Sequence, residues 1–232
     1  MRAVVVQHEQ HEDLGLLGPA LTQEGFSLTK RFRGVEHSDL DAELVVVLGG
    51  PMGVYERKLH PFLGDEVAFL SERLALERPC LGLCLGAQLM AAAAGADVFP
   101  GKNGFEVGVA PVRLTAEAQK DPVLTGLGAK LTVAHWHGDT HAPVPGATLL
   151  ASTDRYTQQA FRLGPSYAFQ FHLELTADEL GRWLEVGAGE LAAKGKEVKE
   201  LQAQLGKLKA VEPTLKELCA RLAHHFAKAA RG

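Results

Sequence analysis

The stretch Pro79-Cys80-Leu81-Gly82-Leu83-Cys84-Leu85-Gly86-Ala87-Gln88 restricts the fold more tightly than any other part of this chain. An apolar run of strand character reaches Gly82, and an Ala-rich helical stretch begins past Gly86. Strand, bend and helix are compressed together, with Cys84 at the apex. Small residues two positions either side of that apex let so tight a bend close without a side-chain clash. A strand running straight into a helix belongs to a sheet whose strands are joined by helices. The same bend projects a thiol beside the first free N–H groups of a helix. Partial positive charge at such an end favours a thiolate over a thiol.

The flanking segments carry the same alternation. Residues 3–7 and 44–48 are short apolar runs of the buried-strand type, and 27–31 fits a further strand. A helix over 14–24 ends at Gly25, with Pro19 an awkward member. Phe62, Leu63, Val67, Phe69, Leu70, Leu74 and Leu76 give one broad apolar face to a helix over 62–78. Residues 80–83 form the next strand and 85–94 the helix behind it. This pattern predicts an α/β fold: a doubly wound, mostly parallel sheet flanked by helices. From 97 to 174 short alternating strands are separated by Gly, Pro and Asp turns. Hairpins added to the sheet edge are expected there, with a return to the central sheet at 167–171. Thr176 is an N-cap, with Glu179 as its capping-box partner, for a helix to about residue 191.

Beyond Lys194 the chain is rich in Lys, Glu, Leu and Ala. Val198, Leu201, Leu205 and Leu208 recur at helical spacing, Pro213 breaks the run, and Leu215, Leu218, Leu222 and Phe226 resume it. The expected organisation is a domain over 1–193 and a C-terminal helical extension over 194–232 that packs on its flank. A homodimer or partner surface is the other use of such a stripe.

A chain of 232 residues, 46% of them hydrophobic, suffices for one sizeable α/β domain with an appendage. A formal net charge of −4 gives no reason to expect nucleic acid or an anionic membrane as partner. Three Cys without a disulfide spacing pattern point to a reducing compartment, most simply the cytoplasm. The apolar run that follows Met1 is too short for a signal peptide or a membrane span.

A thiol nucleophile needs a base, and Phe169-Gln170-Phe171-His172-Leu173-Glu174 offers one. Its alternation reads as a strand end, where His172 and Glu174 point to one side. A carboxylate beside an imidazole fixes its tautomer and stabilises the imidazolium, which can take and return the thiol proton. The run Leu44-Val45-Val46-Val47-Leu48 ends in the loop Gly49-Gly50-Pro51-Met52-Gly53, beside the crevice at the carboxyl end of a parallel strand. The backbone N–H groups of Gly50 and Leu85 are the candidates for an oxyanion hole.

Three of these segments together, Gly49-Gly50-Pro51, Gly82 to Gln88 and Gln170 to Glu174, resemble the signatures of class I glutamine amidotransferases. Phe105-Glu106-Val107-Gly108 and Trp136-His137-Gly138-Asp139 further resemble the glutaminase domain of GMP synthase and its stand-alone relatives. The resemblance covers roughly the first four-fifths of the chain, and five motifs in order are more specific than any one. It implies a flavodoxin-like fold and a Cys84–His172–Glu174 triad that hydrolyses the glutamine side-chain amide through a γ-glutamyl thioester. It also implies that Gln88 and the loop at Trp136 and His137 hold the glutamine, with no cofactor and no metal. One departure is visible: Leu173 stands where the family most often has Pro.

Such domains usually deliver ammonia to a synthetase. No ATP-pyrophosphatase signature or P-loop is present, so the acceptor enzyme is expected on a separate chain. A γ-glutamyl amide or peptide hydrolase, and a silent regulatory module of the same fold, are the other readings. His135-Trp136-His137-Gly138-Asp139-Thr140-His141 nearly spells a zinc-hydrolase pattern, but Thr140 shifts the last His, and a loop shaping the glutamine pocket is the better reading. His8, Glu9, His11 and Glu12 read as solvated loop residues, with the crevice mouth as their other placing. Cys80 and Cys219 read as core thiols, and Glu106 as a structural hydrogen-bonding residue.

Overall fold

The computed structural model describes residues 1–231; Gly232, the end of the expected extension, lies outside the described residues. The apolar runs of the first half become β1 (Arg2–Gln7), β2 (Ser27–Phe32), β3 (Leu44–Val47) and β4 (Cys80–Leu83). Between and after them lie α1 (Leu17–Gln23), α2 (Phe62–Ala75) and α3 (Leu85–Ala93). The middle of the chain forms β5 (Val98–Pro100), β6 (Glu106–Leu114), β7 (Lys130–His137), β8 (Asp139–His141), β9 (Thr148–Ser152), β10 (Ala160–Leu163) and β11 (Ser166–Phe169). Helices α4 (Ala177–Val186), α5 (Ala188–Ala193), α6 (Val198–Gln202) and α7 (Leu205–Arg231) follow.

Nine strands form one sheet in the order β2-β1-β3-β4-β11-β10-β9-β6-β7. The first five run parallel, with Val4 beside Val45, Val46 beside Leu81 and Gly82 beside Ala168. The last four are the expected antiparallel addition at one edge. β5 and β8 make a separate antiparallel pair.

Strand alternation divides the core in two. Ala3, Val5, Leu44 and Val46 face the layer containing Leu17, Leu21, Leu180, Leu184 and the apolar stripe of α7. Val4, Val6, Val45 and Val47 face Leu63, Phe69 and Leu70 of α2 and Leu89 and Met90 of α3. Being buried on both faces is what makes these strands read as unbroken apolar runs. Arg73 of α2 is also fully buried, and carbonyl oxygens satisfy it: Leu40 at 2.8 Å, Ala42 at 3.0 Å and Pro79 at 2.8 Å. It ties together the segments that lead into β3 and β4.

Three local expectations change. Pro19 is the third residue of α1, inside the first turn, where a missing N–H costs no helical bond. Pro213 does not break the tail; it lies inside the continuous α7. It is exposed, whereas Leu208, Leu215, Leu218, Cys219, Leu222 and Phe226 are buried, so packing outweighs one lost hydrogen bond on the solvent side. The helix opened by Thr176 stops at Val186, and Gly187, against which the Trp136 indole packs, separates α4 from α5. Its capping box is present: Glu179 N–H donates to Thr176 Oγ1 at 3.2 Å, and Thr176 N–H donates to Glu179 Oε2 at 2.8 Å.

Candidate active site

Cys84 sits between β4 and α3 with φ 53° and ψ −108°, a conformation an L-residue adopts only under constraint. The constraint comes from both sides. A Cβ on Gly82 would stand 2.5 Å from the Gly86 carbonyl oxygen, and one on Gly86 would stand 2.0 Å from that of Val47. Neither position tolerates a side chain, so the bend can close tightly around Cys84. The Cys84 N–H donates to the Phe169 carbonyl at 2.8 Å, locking the apex to β11. Its thiol lies 3.5 Å from the Trp136 carbonyl.

His172 arrives by a different route from the one expected. β11 ends at Phe169, so His172 and Glu174 do not share a strand face. The chain leaves the sheet there and forms an isolated antiparallel bridge to β7: His172 N–H donates to the Ala134 carbonyl at 2.9 Å, and Ala134 N–H to that of His172 at 3.3 Å. Nevertheless Nδ1 of His172 lies 2.7 Å from Glu174 Oε1, and the Trp183 ring meets the imidazole edge-on at 5.0 Å. Burial lowers the imidazole pKa, but the Glu174 charge and then the adjacent Cys84 thiol outweigh it and raise His172 well above its usual value. Glu174 is held in turn through its carbonyl, which accepts the Leu16 N–H at 2.8 Å. An imidazole so placed can exchange a proton with the thiol.

These groups border a cleft of about 480 Å³ at the carboxyl ends of β1, β3 and β4. Its lining includes Cys84, His172, Gly50, Gln88, Trp136 and His137. Glu174 and Leu85 lie behind the surface; Leu85 is the first residue of α3, where backbone N–H groups have no helical acceptor. Gln88 donates from Nε2 to Gln170 Oε1 at 3.1 Å, and Trp136 donates from Nε1 to Glu190 Oε2 at 3.1 Å. Both ring nitrogens of His137 are engaged, Nδ1 with the Asp139 carbonyl at 3.0 Å and Nε2 with Glu106 Oε2 at 3.0 Å. Its side chain is therefore tied into the wall.

Glu106, His135 and His137 are the residues among those described that come nearest to a metal centre, with one ligand atom each inside a 4.8 Å span. Glu106 is already taken by His137 and by Gln159 Nε2 at 2.6 Å. Burial holds the His135 imidazole down at about 4, in its neutral form. Asp139 and His141, the other members of the zinc-like sequence pattern, are not in the cluster. Cys80 and Cys219 are buried, and burial pushes both thiols up.

The residues after β1 are not simply a solvated loop. His8 is fully buried, with Nδ1 2.8 Å from the Gly49 carbonyl and Nε2 2.9 Å from Glu66 Oε2. Glu12 lies in the cleft wall; burial raises its carboxyl to about 7, with His172 opposing the rise and Glu174 adding to it. Nothing in the local pattern distinguishes these two from their exposed neighbours. The available signal was their position just past a buried strand that feeds the crevice.

The family model described as glutamine amidotransferase class-I matches residues 22–185. The chain is 30% identical over 205 residues to YfeJ of Salmonella typhimurium, a glutamine amidotransferase-like protein, covering 84% of this chain and 85% of that one. It is 33% identical over 150 residues to the glutamine-hydrolysing GMP synthase of Porphyromonas gingivalis, covering 61% of this chain and 28% of that one. That likeness spans little more than a quarter of the synthase. Among solved structures, a glutamine amidotransferase from Thermotoga maritima superposes with a TM-score of 0.88 at 32% identity, over 98% of each chain.

Proposed function

The chain belongs to the class-I glutamine amidotransferase family, enzymes that hydrolyse glutamine, and from that premise we propose that Cys84, His172 and Glu174 act as a triad on the glutamine side-chain amide. The observation that carries this reading is the meeting, in one cleft, of a thiol on a strained bend and an imidazole backed at 2.7 Å by a carboxylate.

In this reading His172 takes the Cys84 proton, and sulfur attacks the amide carbon of glutamine. The new S–C bond moves the carbonyl electron pair onto oxygen, where the N–H groups of Gly50 and Leu85 receive it. One such donor typically contributes ~3 kcal/mol to lowering the barrier. His172, its imidazolium stabilised by Glu174, gives the proton to nitrogen; the C–N bond breaks and ammonia leaves a γ-glutamyl thioester. Water then gives a proton to His172 and attacks the thioester, sulfur departs and is reprotonated, and glutamate is released. Gln88 and the wall at Trp136 and His137 hold the substrate, the latter through backbone. Residues 1–193 form the amidotransferase unit and 194–232 its helical extension. Ammonia passes to an acceptor enzyme on a separate chain. Among the described residues no helix is long and apolar enough to cross a membrane.

The test is a diazo-ketone analogue of glutamine followed by peptide mapping. An adduct on Cys84, together with loss of glutamate release in Cys84→Ala, is expected. No adduct, with hydrolysis unchanged in that variant, removes the proposal.

A second substrate reading has its own support. Glu9, Glu56, Asp139 and Glu190 line the cleft against the single Lys194. So many carboxylates suit a γ-glutamyl amide whose leaving amine carries positive charge. A kcat/KM for γ-glutamyl diamines above that for glutamine supports it; a strong preference for free glutamine eliminates it.

A further inference from the structure

We propose that His8, held by Glu66, is a positioning residue that aims the Gly50 N–H into the cleft. The proposal rests on the reading of Gly50 as an oxyanion donor.

The argument begins with the peptide plane between Gly49 and Gly50. In a trans peptide the C=O of one residue and the N–H of the next point in opposite directions. Whatever holds the Gly49 carbonyl therefore also sets the direction of the Gly50 N–H. What holds it is His8, whose Nδ1 lies 2.8 Å from that oxygen. A carbonyl oxygen only accepts, so Nδ1 carries the hydrogen. On the far side of the ring, Nε2 lies 2.9 Å from Glu66 Oε2 of α2. Burial works against a charged ring here, but the Glu66 hydrogen bond and charge, then the Gly49 carbonyl, raise His8 above its usual value. The imidazole can thus donate on both sides. The carbonyl is drawn toward His8 and the N–H is turned away from it.

The turned N–H has somewhere to act. Gly50 borders the cleft together with Cys84, and no backbone or side-chain acceptor among the described residues takes its N–H. The loop also cannot slide. A Cβ at Gly50 would stand 2.9 Å from His8 Cβ and 3.0 Å from Leu85 Cδ2, so the backbone is wedged between His8 and the start of α3. Two adjacent glycines are the least restricted backbone a chain can have. Without a pin, the peptide between them would sample several orientations, and a donor must be preorganised to lower a barrier. Hydrogen bonding at the carbonyl also polarises the peptide, strengthening its N–H as a donor.

The test isolates that one hydrogen bond. In a Glu66→Gln background, which leaves no unpaired buried carboxylate, His8→Leu and His8→Asn are compared. Leu and Asn have nearly the same shape, but only Asn can donate to the Gly49 carbonyl from the place of Nδ1. Loss of an oxyanion donor typically lowers kcat by ~10²–10³-fold. His8→Leu is expected to approach that loss with KM for glutamine little changed, and His8→Asn to recover at least tenfold of it. A γ-aldehyde analogue of glutamine, which forms an oxyanion on Cys84, should lose affinity in parallel with kcat. Equal kcat in the two variants, or a change in KM alone, overturns the proposal. Should the His8→Leu protein not fold, His8→Ala in the same background takes its place: kcat at least tenfold below that of His8→Asn at similar KM supports the pin, and equal kcat refutes it. Failure of the parent reading looks different, since the unsubstituted chain would then neither release glutamate nor accept the diazo-ketone on Cys84.

Discussion

Replacing Glu12 by Gln is the perturbation whose size can be worked out most directly. The carboxyl is pressed against the Gly49-Gly50 loop; a Cβ on Gly49 would stand 2.3 Å from its Oε2. Burial, opposed by His172 and reinforced by Glu174, raises it from the ordinary 4.5 to about 7. The sign is opposite to that of a salt-bridged carboxylate. Below pH 4.5 folded and unfolded chains both hold the proton. Between pH 4.5 and 7 the unfolded chain releases it while the folded chain keeps it, so stability falls as pH rises through this window. At about 1.4 kcal/mol per pH unit the rise from 4.5 to about 7 corresponds to about 3 kcal/mol. Solvent in the cleft screens the half-buried carboxyl and trims the expected effect to ~2 kcal/mol. Glu12→Gln should therefore match the parent at pH 4 and exceed its stability by ~2 kcal/mol at pH 8. Urea unfolding at pH 4, 6 and 8, followed by the fluorescence of Trp136 and Trp183, measures the difference. A gain that is the same at every pH, or a variant less stable at pH 8, refutes the reasoning.

Cys84→Gly should abolish glutamine hydrolysis and at the same time raise the melting temperature. The strained backbone costs ~1–3 kcal/mol, only part of which the added chain entropy of glycine takes back; a lower melting temperature would mean the bend is not strained. Gly86→Ala drives a methyl to 2.0 Å from the Val47 carbonyl and should cost more than ~3 kcal/mol. A folded variant within ~1 kcal/mol of its parent by urea unfolding would show that α3 and β3 are not in that contact. Glu174→Gln keeps the shape of the side chain but offers His172 an amide, and steady-state kinetics should show kcat reduced roughly 10²–10⁴-fold with KM retained. Full activity in that variant would remove Glu174 from the mechanism.

What could be read in the sequence follows from how far each constraint reaches along the chain. The bend at Cys84 was legible because its demands are local: Gly82 and Gly86 lie two residues away, and their clashes are with the bend and the adjoining β3. The strands were legible because burial on both faces leaves an unbroken apolar run, and the capping box at Thr176 because it is written within four residues. Pro213 misled because a local rule lost to a buried stripe lying on the sheet. His172 and Glu174 were found for an incomplete reason: they meet although the strand has ended, since a backbone bridge to Ala134 stands in for strand pairing.

The polar underside of the site was the part that could not be read. His8 and Glu66 are separated by 58 positions, and each looks like an ordinary surface residue beside its neighbours in sequence. Arg73 is buried because four carbonyls from outside its helix converge on it, and carbonyls leave no mark in a sequence. The parallel topology nevertheless dictates where such residues end up. Every strand from β1 to β4 delivers its following loop to the same edge, so a charged residue just past a buried strand arrives either at the cleft or beneath it. The charged tail of β1, His8 through Glu12, does both: His8 goes beneath the Gly49-Gly50 loop and Glu12 into the wall. Placing the site is thus a consequence of topology, which apolar patterning encodes. Orienting its backbone donors depends on polar partners that only the folded chain brings together.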